Sequence, residues 1–176
     1  MDNKAVAIIV MGVSGCGKTS VGTGLSKATG LPFFDGDNFH SKKNIEKMAE
    51  GIPLDDEDRK EWLESLHIFL KTHLEKGESL ILACSALKES YREILKQDHQ
   101  DNIVLVYLRG NYDLIHNRMK QREGHYMKAT MLRSQFDALE EPQDAFVIDI
   151  KKSINGIVEE ILHLLKTHNG MNNERS

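Results

Sequence analysis

The run AVAIIVMGVSGCGKTS, residues 5–20, constrains this chain's architecture more than any other stretch. It opens on seven apolar residues in succession, without the polar alternation of a strand that has one wet face. Such a run reads as a strand buried on both sides, here 5–11. Glycines at 12, 15 and 17 follow, and then a helical pattern over 18–29. A doubly buried strand that enters a helix through a glycine-rich turn is the start of a βαβ unit. That unit demands a parallel sheet with helices on both faces. The rest of the chain repeats the alternation. Short apolar runs at 31–35, 79–84, 103–108 and 145–149 read as four further strands. Patterns at 58–76, 88–96, 112–121 and 154–168 read as helices. The expectation is one α/β domain over 3–168, a five-stranded parallel sheet with right-handed crossovers, followed by a polar tail at 169–176. Ligands of such sheets bind beyond the carboxyl ends of the strands. Every motif below stands at one of those ends.

The turn itself, GVSGCGKT at 12–19, matches G-x-x-x-x-G-K-[ST] at each fixed position, between a strand and a helix. Glycines let successive N–H groups turn inward with no Cβ in the way, and the helix N-terminus adds its dipole. The result is an anion cradle, so the fold is expected to be a P-loop NTPase fold and the ligand a nucleoside triphosphate. Gly12, Val13, Ser14, Gly15, Cys16, Gly17, Lys18, Thr19 and Ser20 form the expected nucleotide site. Lys18 is expected to reach the terminal phosphates, and the Thr19 hydroxyl to face Mg²⁺. A structural strand-to-helix turn would also use glycine, but it has no need of Lys18 and Thr19.

A cradle does not name the reaction. The apolar runs at 79–84 and 103–108 do not end in the Asp of a Walker B metal site. The run at 31–35 does end in acid: FFDGDNFH places Asp35 and Asp37 on either side of Gly36. Two carboxylates with separate tasks, one beside the metal's water shell and one accepting a hydroxyl proton, suit phosphoryl transfer to an alcohol. Asp35 is assigned to the metal with Thr19, and Asp37 to the attacking hydroxyl. An ordinary carboxylate pKa suffices for Asp37, because the alcohol proton leaves late. An Asp-Gly turn held by its own side chains is the structural alternative.

Composition narrows the partners. Net charge is −4, which argues against a nucleic-acid or membrane surface, so an anionic substrate needs a local basic cluster. The two cysteines, Cys16 and Cys84, show no metal spacing and suit a reducing, cytoplasmic setting. No apolar run is long enough to span a bilayer.

The blocks MGVSGCGKT, FFDGDNFHSKKNIEKMAEGIPLDDEDRKEWL, ACSALKESYR, VYLRG, GHYMKATMLRSQFDALEEP and VIDI stand in that order. Together they closely resemble gluconokinases of the small P-loop kinase type, which are related in fold to shikimate and nucleoside monophosphate kinases. The resemblance covers about 8–165. It implies ATP- and Mg²⁺-dependent phosphorylation of D-gluconate on its 6-hydroxyl, and a homodimer. It also implies a mobile lid over about 122–130, with Arg122 closing on the transferred phosphoryl group and Arg118 touching the nucleotide. Gluconate is a small hydroxylated anion, and cations and hydrogen-bonding groups are available for it. His40, Lys43 and Asn44 follow the acidic pair; Arg59 precedes Trp62; Lys88, Tyr91 and Arg92 follow CSA; His125 lies after Gly124. Arg59 or Arg92 is expected to hold the carboxylate, with Lys43 and Lys88 next in line, since a guanidinium forms two parallel bonds to it. Trp62 is expected to be a packing anchor. A shikimate kinase-like or other small-molecule P-loop kinase is the alternative. It would show a glycine-rich turn, or an Asp-Gly-Phe/Tyr-Pro-Arg turn, where this chain has CSALK. A nucleotide-dependent switch protein would have no use for the DNFHSKKN cluster.

Overall fold

The strand β1 (Ala7–Met11) is buried along its whole length, as its unbroken apolar run requires. The computed structural model describes residues 4–122 and 129–173. After β1 come α1 (Lys18–Thr29), β2 (Phe33–Asp35), α2 (Lys42–Ala49), α3 (Asp56–Glu75), β3 (Leu80–Ala83) and α4 (Glu89–Lys96). Then follow β4 (Ile103–Arg109), α5 (Tyr112–Lys120), α6 (Ala129–Ala138), β5 (Ala145–Asp149) and α7 (Ile154–Asn173). The five strands are parallel in the order β2-β3-β1-β4-β5. The chain therefore leaves β1 toward one edge and later returns to its other side with β4. The crevice above β1 is the topological switch point, where such sheets take their ligands.

Alternate residues of each strand serve two cores. On one face Ile9, Met11, Leu82, Leu105 and Tyr107 meet Trp62, Leu63, Leu66 and Leu70 of α3 and Tyr91 and Leu95 of α4. On the other, Ile8, Val10, Ile81, Val106 and Ile148 meet Val21 and Leu25 of α1, Ile115 of α5, Leu132 of α6 and Ile157 and Ile161 of α7. The five strands and the five expected helices fall where the apolar pattern puts them, with shifted ends. Helix α3 starts two residues before the expected 58, because Asp55 and Asp58 form a reciprocal capping box at its N-terminus. Helix α7 runs to Asn173, past the expected end at 168. One glycine, Gly170, costs a helix about 1 kcal/mol and does not by itself end it. Helices α2 and α6 are not in the apolar pattern. Helix α2 is announced only by Ser41, whose hydroxyl accepts the Asn44 N–H at 3.2 Å.

Among the described residues no helix is long and apolar enough to cross a membrane.

Candidate active site

The glycine loop turns at the carboxyl end of β1. Gly12, Gly15 and Gly17 have φ of 147°, 78° and 103°, which side chains with a Cβ rarely adopt. Gly17 is the N-cap of α1 with no side-chain cap, so the first amides of that helix remain available to an anion. The Lys18 ammonium folds over the loop and donates to the carbonyls of Gly12 and Val13, each at 3.0 Å. Thr19 Oγ1 donates to Asp35 Oδ2 at 3.2 Å. This contact unites the loop with the end of β2 across β3, and it sets a hydroxyl and a carboxylate side by side.

The Asp-Gly-Asp turn is built by tertiary contacts. Asp35 Oδ1 accepts the Asp37 N–H at 3.0 Å, so the side-chain-held turn of the structural alternative is present as well. A Cβ on Gly36 would lie 2.6 Å from the Ala83 carbonyl oxygen, so glycine is needed here for close approach to β3. The Gly36 carbonyl accepts the Trp62 indole N–H at 2.8 Å. Trp62 is buried and stacks on the His40 ring at 4.2 Å between centroids, so it is the anchor of this turn. Asp37 projects outward with its side chain 75% exposed. The protein walls around it and then the charge of Asp35 push its carboxyl above the usual range, against the pull of Lys18. The His40 ring is driven down to about 4, first by burial and then by the Arg59 charge. It is therefore neutral at neutral pH, and its 3.9 Å approach to Asp37 is not an ion pair there.

Arg59 opens a polar row leading away from His40. Its guanidinium donates to the Tyr91 hydroxyl at 3.2 Å. Tyr91 donates in turn to Asp56 Oδ1, which also accepts the Lys88 ammonium at 2.9 Å. The helix beneath is held from α2: the Asn44 amide donates to the Asp58 carbonyl at 2.7 Å, and Lys47 bonds the Asp58 carboxylate at 2.7 Å. That Lys47 bond, followed by the Asp55 N–H, lowers Asp58 to about 2.

The comparisons with known proteins bear on this arrangement. The family model described as shikimate kinase matches residues 14–166. The thermoresistant gluconokinase of Escherichia coli is 39% identical over 162 residues, with 90% of this chain and 92% of that protein covered. A solved gluconokinase structure from Sinorhizobium meliloti superposes with a TM-score of 0.89 at 37% identity, covering 98% of each chain. This chain belongs to the gluconokinases, within the shikimate kinase family. A sugar kinase structure from Janibacter is likewise similar, at 41% identity and a TM-score of 0.86, covering 92% of this chain and 95% of that one. The gluconokinase relatives leave the shikimate kinase-like alternative with less support, in line with CSALK standing where that alternative needs glycines.

Within this gluconokinase fold the expected residues divide. Lys18, Thr19, Asp35, Asp37, His40 and Arg59 are linked by the contacts and charge effects above. Lys88 joins them through Tyr91 and Asp56. Arg118 donates to the Ile150 carbonyl at 2.7 Å, beside the end of β5. Ser20 is exposed on α1 and Arg122 is exposed just past α5. Cys16 is buried behind the loop, where its sulfur would meet a Cβ on Gly12 at 2.7 Å. One expected substrate cation is turned to the backbone. Arg92 is buried, and one guanidinium nitrogen donates to the carbonyls of Ala86 and Leu87 at 2.8 and 3.0 Å. It braces a turn in which Ala86 takes a left-handed φ of 45°, in place of the substrate contact expected of it. Lys43 is mostly exposed and lies 3.7 Å from Asp58. His125 and most of the expected lid, 123–128, lie outside the described residues. Trp62 is the packing anchor expected of it, whereas Asn44 and Gln135 carry structural contacts that no motif announced.

The site also fits the magnesium ion that the family implies. No group of three or more His, Cys, Asp or Glu side chains among the described residues could hold a metal alone. A hydroxyl and one carboxylate, Thr19 and Asp35, are a donor set for an ion that keeps most of its waters and takes other oxygens from phosphates.

Proposed function

We propose that this chain catalyses ATP-dependent phosphorylation of D-gluconate on its 6-hydroxyl, giving 6-phospho-D-gluconate and ADP. The observation that carries the reading is the union of the glycine loop with the Asp35-Gly36-Asp37 turn through the Thr19–Asp35 bond. It brings the glycine loop and the Asp37 carboxylate to one end of the sheet, and the row from His40 through Arg59 to Lys88 leads away from that carboxylate.

The steps follow from the residues. Amides of the loop and of the first turn of α1 bind the phosphate oxygens, and Lys18 exchanges its loop carbonyls for the terminal phosphates. Thr19 and Asp35 would hold Mg²⁺, which would supply charge neutralisation on the phosphate oxygens. Asp37 accepts the hydrogen bond of the 6-hydroxyl and aligns its oxygen with the γ-phosphorus. The new O–P bond forms as the bond to the β,γ-bridging oxygen breaks; ADP leaves, and Asp37 takes the proton late. Neutral His40 offers a ring nitrogen to a sugar hydroxyl. Arg59 and Lys88 receive the substrate carboxylate. Arg122 supplies charge to the transferred group, and Arg118 flanks the nucleotide. Relatives named gluconokinases over 90% of this chain support the substrate.

The test is ADP release measured across D-gluconate, shikimate and nucleoside monophosphates. Turnover with gluconate alone supports the reading; equal or better turnover with shikimate or a nucleotide acceptor refutes it.

A further inference from the structure

Gln135 stands on α6, far along the chain from the glycine loop, and no motif assigns it a role. Its carboxamide meets Ser14 twice. Oε1 accepts the Ser14 backbone N–H at 2.7 Å, and Nε2 donates to Ser14 Oγ at 3.0 Å. A backbone N–H can only donate, so the amide oxygen must face it, and the amide orientation is determined by its partners. Ser14 sits at the apex of the loop, between left-handed turns at Gly12 and Gly15. The next residue is held from the same side: a Cβ on Gly15 would fall 2.7 Å from Met119 Cγ, on α5. Two helices therefore rest on one short segment.

That segment is where the chain is least able to hold a shape. Three glycines in six residues leave a loop with many accessible conformations, and a ligand that must order it loses affinity. We infer that Gln135 is a positioning residue for the phosphate cradle. By fixing both hydrogen-bonding groups of Ser14, it presets the peptide planes that follow, so the amides from Gly15 to Thr19 converge before the nucleotide arrives. A second effect comes from the donor count. Ser14 Oγ accepts from Gln135, which leaves its own proton for an outside acceptor. At the mouth of an anion cradle that acceptor is a phosphate oxygen. The inference rests on the reading of the loop as a nucleotide site, and it is independent of which acceptor substrate is phosphorylated.

The test uses the full chain with two variants. Gln135→Met keeps the length and removes both bonds; Ser14→Ala removes only the hydroxyl. Affinity for ADP is measured by calorimetry without acceptor, with KM for ATP, KM for gluconate and Tm alongside. For Gln135→Met the loss of two hydrogen bonds predicts about 5- to 50-fold weaker ADP binding and a matching rise in KM for ATP. KM for gluconate should stay within about twofold, the split that a general loss of structure would not give. Ser14→Ala should weaken ADP several-fold, and Gln135→Met should cost less in its background than in the wild type, because the two residues share a bond. Unchanged ADP affinity in Gln135→Met, whatever its Tm, overturns the inference. If that variant does not fold, Ser14→Ala decides by itself: wild-type ADP affinity there overturns it. A wild-type enzyme that binds ADP yet ignores gluconate would refute the proposed substrate and leave this inference standing.

Discussion

Trp62→Phe tests how the substrate-side turn is held. The indole N–H is the donor to the Gly36 carbonyl, at 2.8 Å, and Trp62 is 2% exposed. Phenylalanine removes that donor and leaves the carbonyl facing a ring edge. A buried acceptor left unpaired costs about 1–3 kcal/mol. The lost ring volume, only partly refilled by its neighbours, adds about 1–2 kcal/mol. Together these give roughly 2–5 kcal/mol, which in a domain of this size lowers Tm by about 4–20 °C. Gly36 cannot simply relax, because it already packs against the Ala83 carbonyl. The freed turn carries Asp37, so kcat should fall by about tenfold or more while ADP affinity, set at the glycine loop, should hold. Thermal denaturation and steady-state kinetics measure both. A Tm within about 2 °C of wild type with unchanged kcat would show that the indole bond neither stabilises the fold nor places Asp37.

The other expectations concern single groups. Asp37→Asn should lose about 10²–10⁴ in kcat with ATP affinity retained, whereas the Asp35→Asn defect should be partly restored by added Mg²⁺; rescue of the first and not the second would exchange their roles. Arg59→Met should raise KM for gluconate by about 10- to 100-fold and spare KM for ATP, as for a lost bond to a charged group; equal effects on both would remove Arg59 from the carboxylate. His40 has a folded value of about 4 against 6.5 unfolded, so between these the unfolded chain binds the extra proton. Its contribution to stability is therefore full above pH 6.5 and falls as pH drops toward 4; denaturant titrations at pH 5 and 7 should show this, and His40→Gln should flatten the difference.

What could be read along the chain was what neighbouring residues settle among themselves. The glycine loop and the Asp35-Gly36-Asp37 turn are contiguous, and their chemistry follows from backbone freedom and residue type. The sheet's parallel architecture follows from the doubly apolar strands. The strands and helices came through with shifted ends, because caps such as the Asp55–Asp58 box lie outside the apolar pattern.

The roles of single cations and amides were settled only by packing. Arg59 and Arg92 look alike in sequence, each basic and close to an aromatic residue. Folding leaves Arg59 partly open beside His40 and Tyr91, and it buries Arg92 against the carbonyls of Ala86 and Leu87. Asn44 could equally have met a sugar hydroxyl, but it serves the Asp58 carbonyl. Gln135 finds Ser14 across 121 residues. A hydrogen bond is satisfied by whichever partner the fold brings within reach, at an angle set by the intervening elements. Periodicity and composition carry no record of that distance or angle, so the tertiary structure alone decides which polar side chains face the cleft and which hold it in shape.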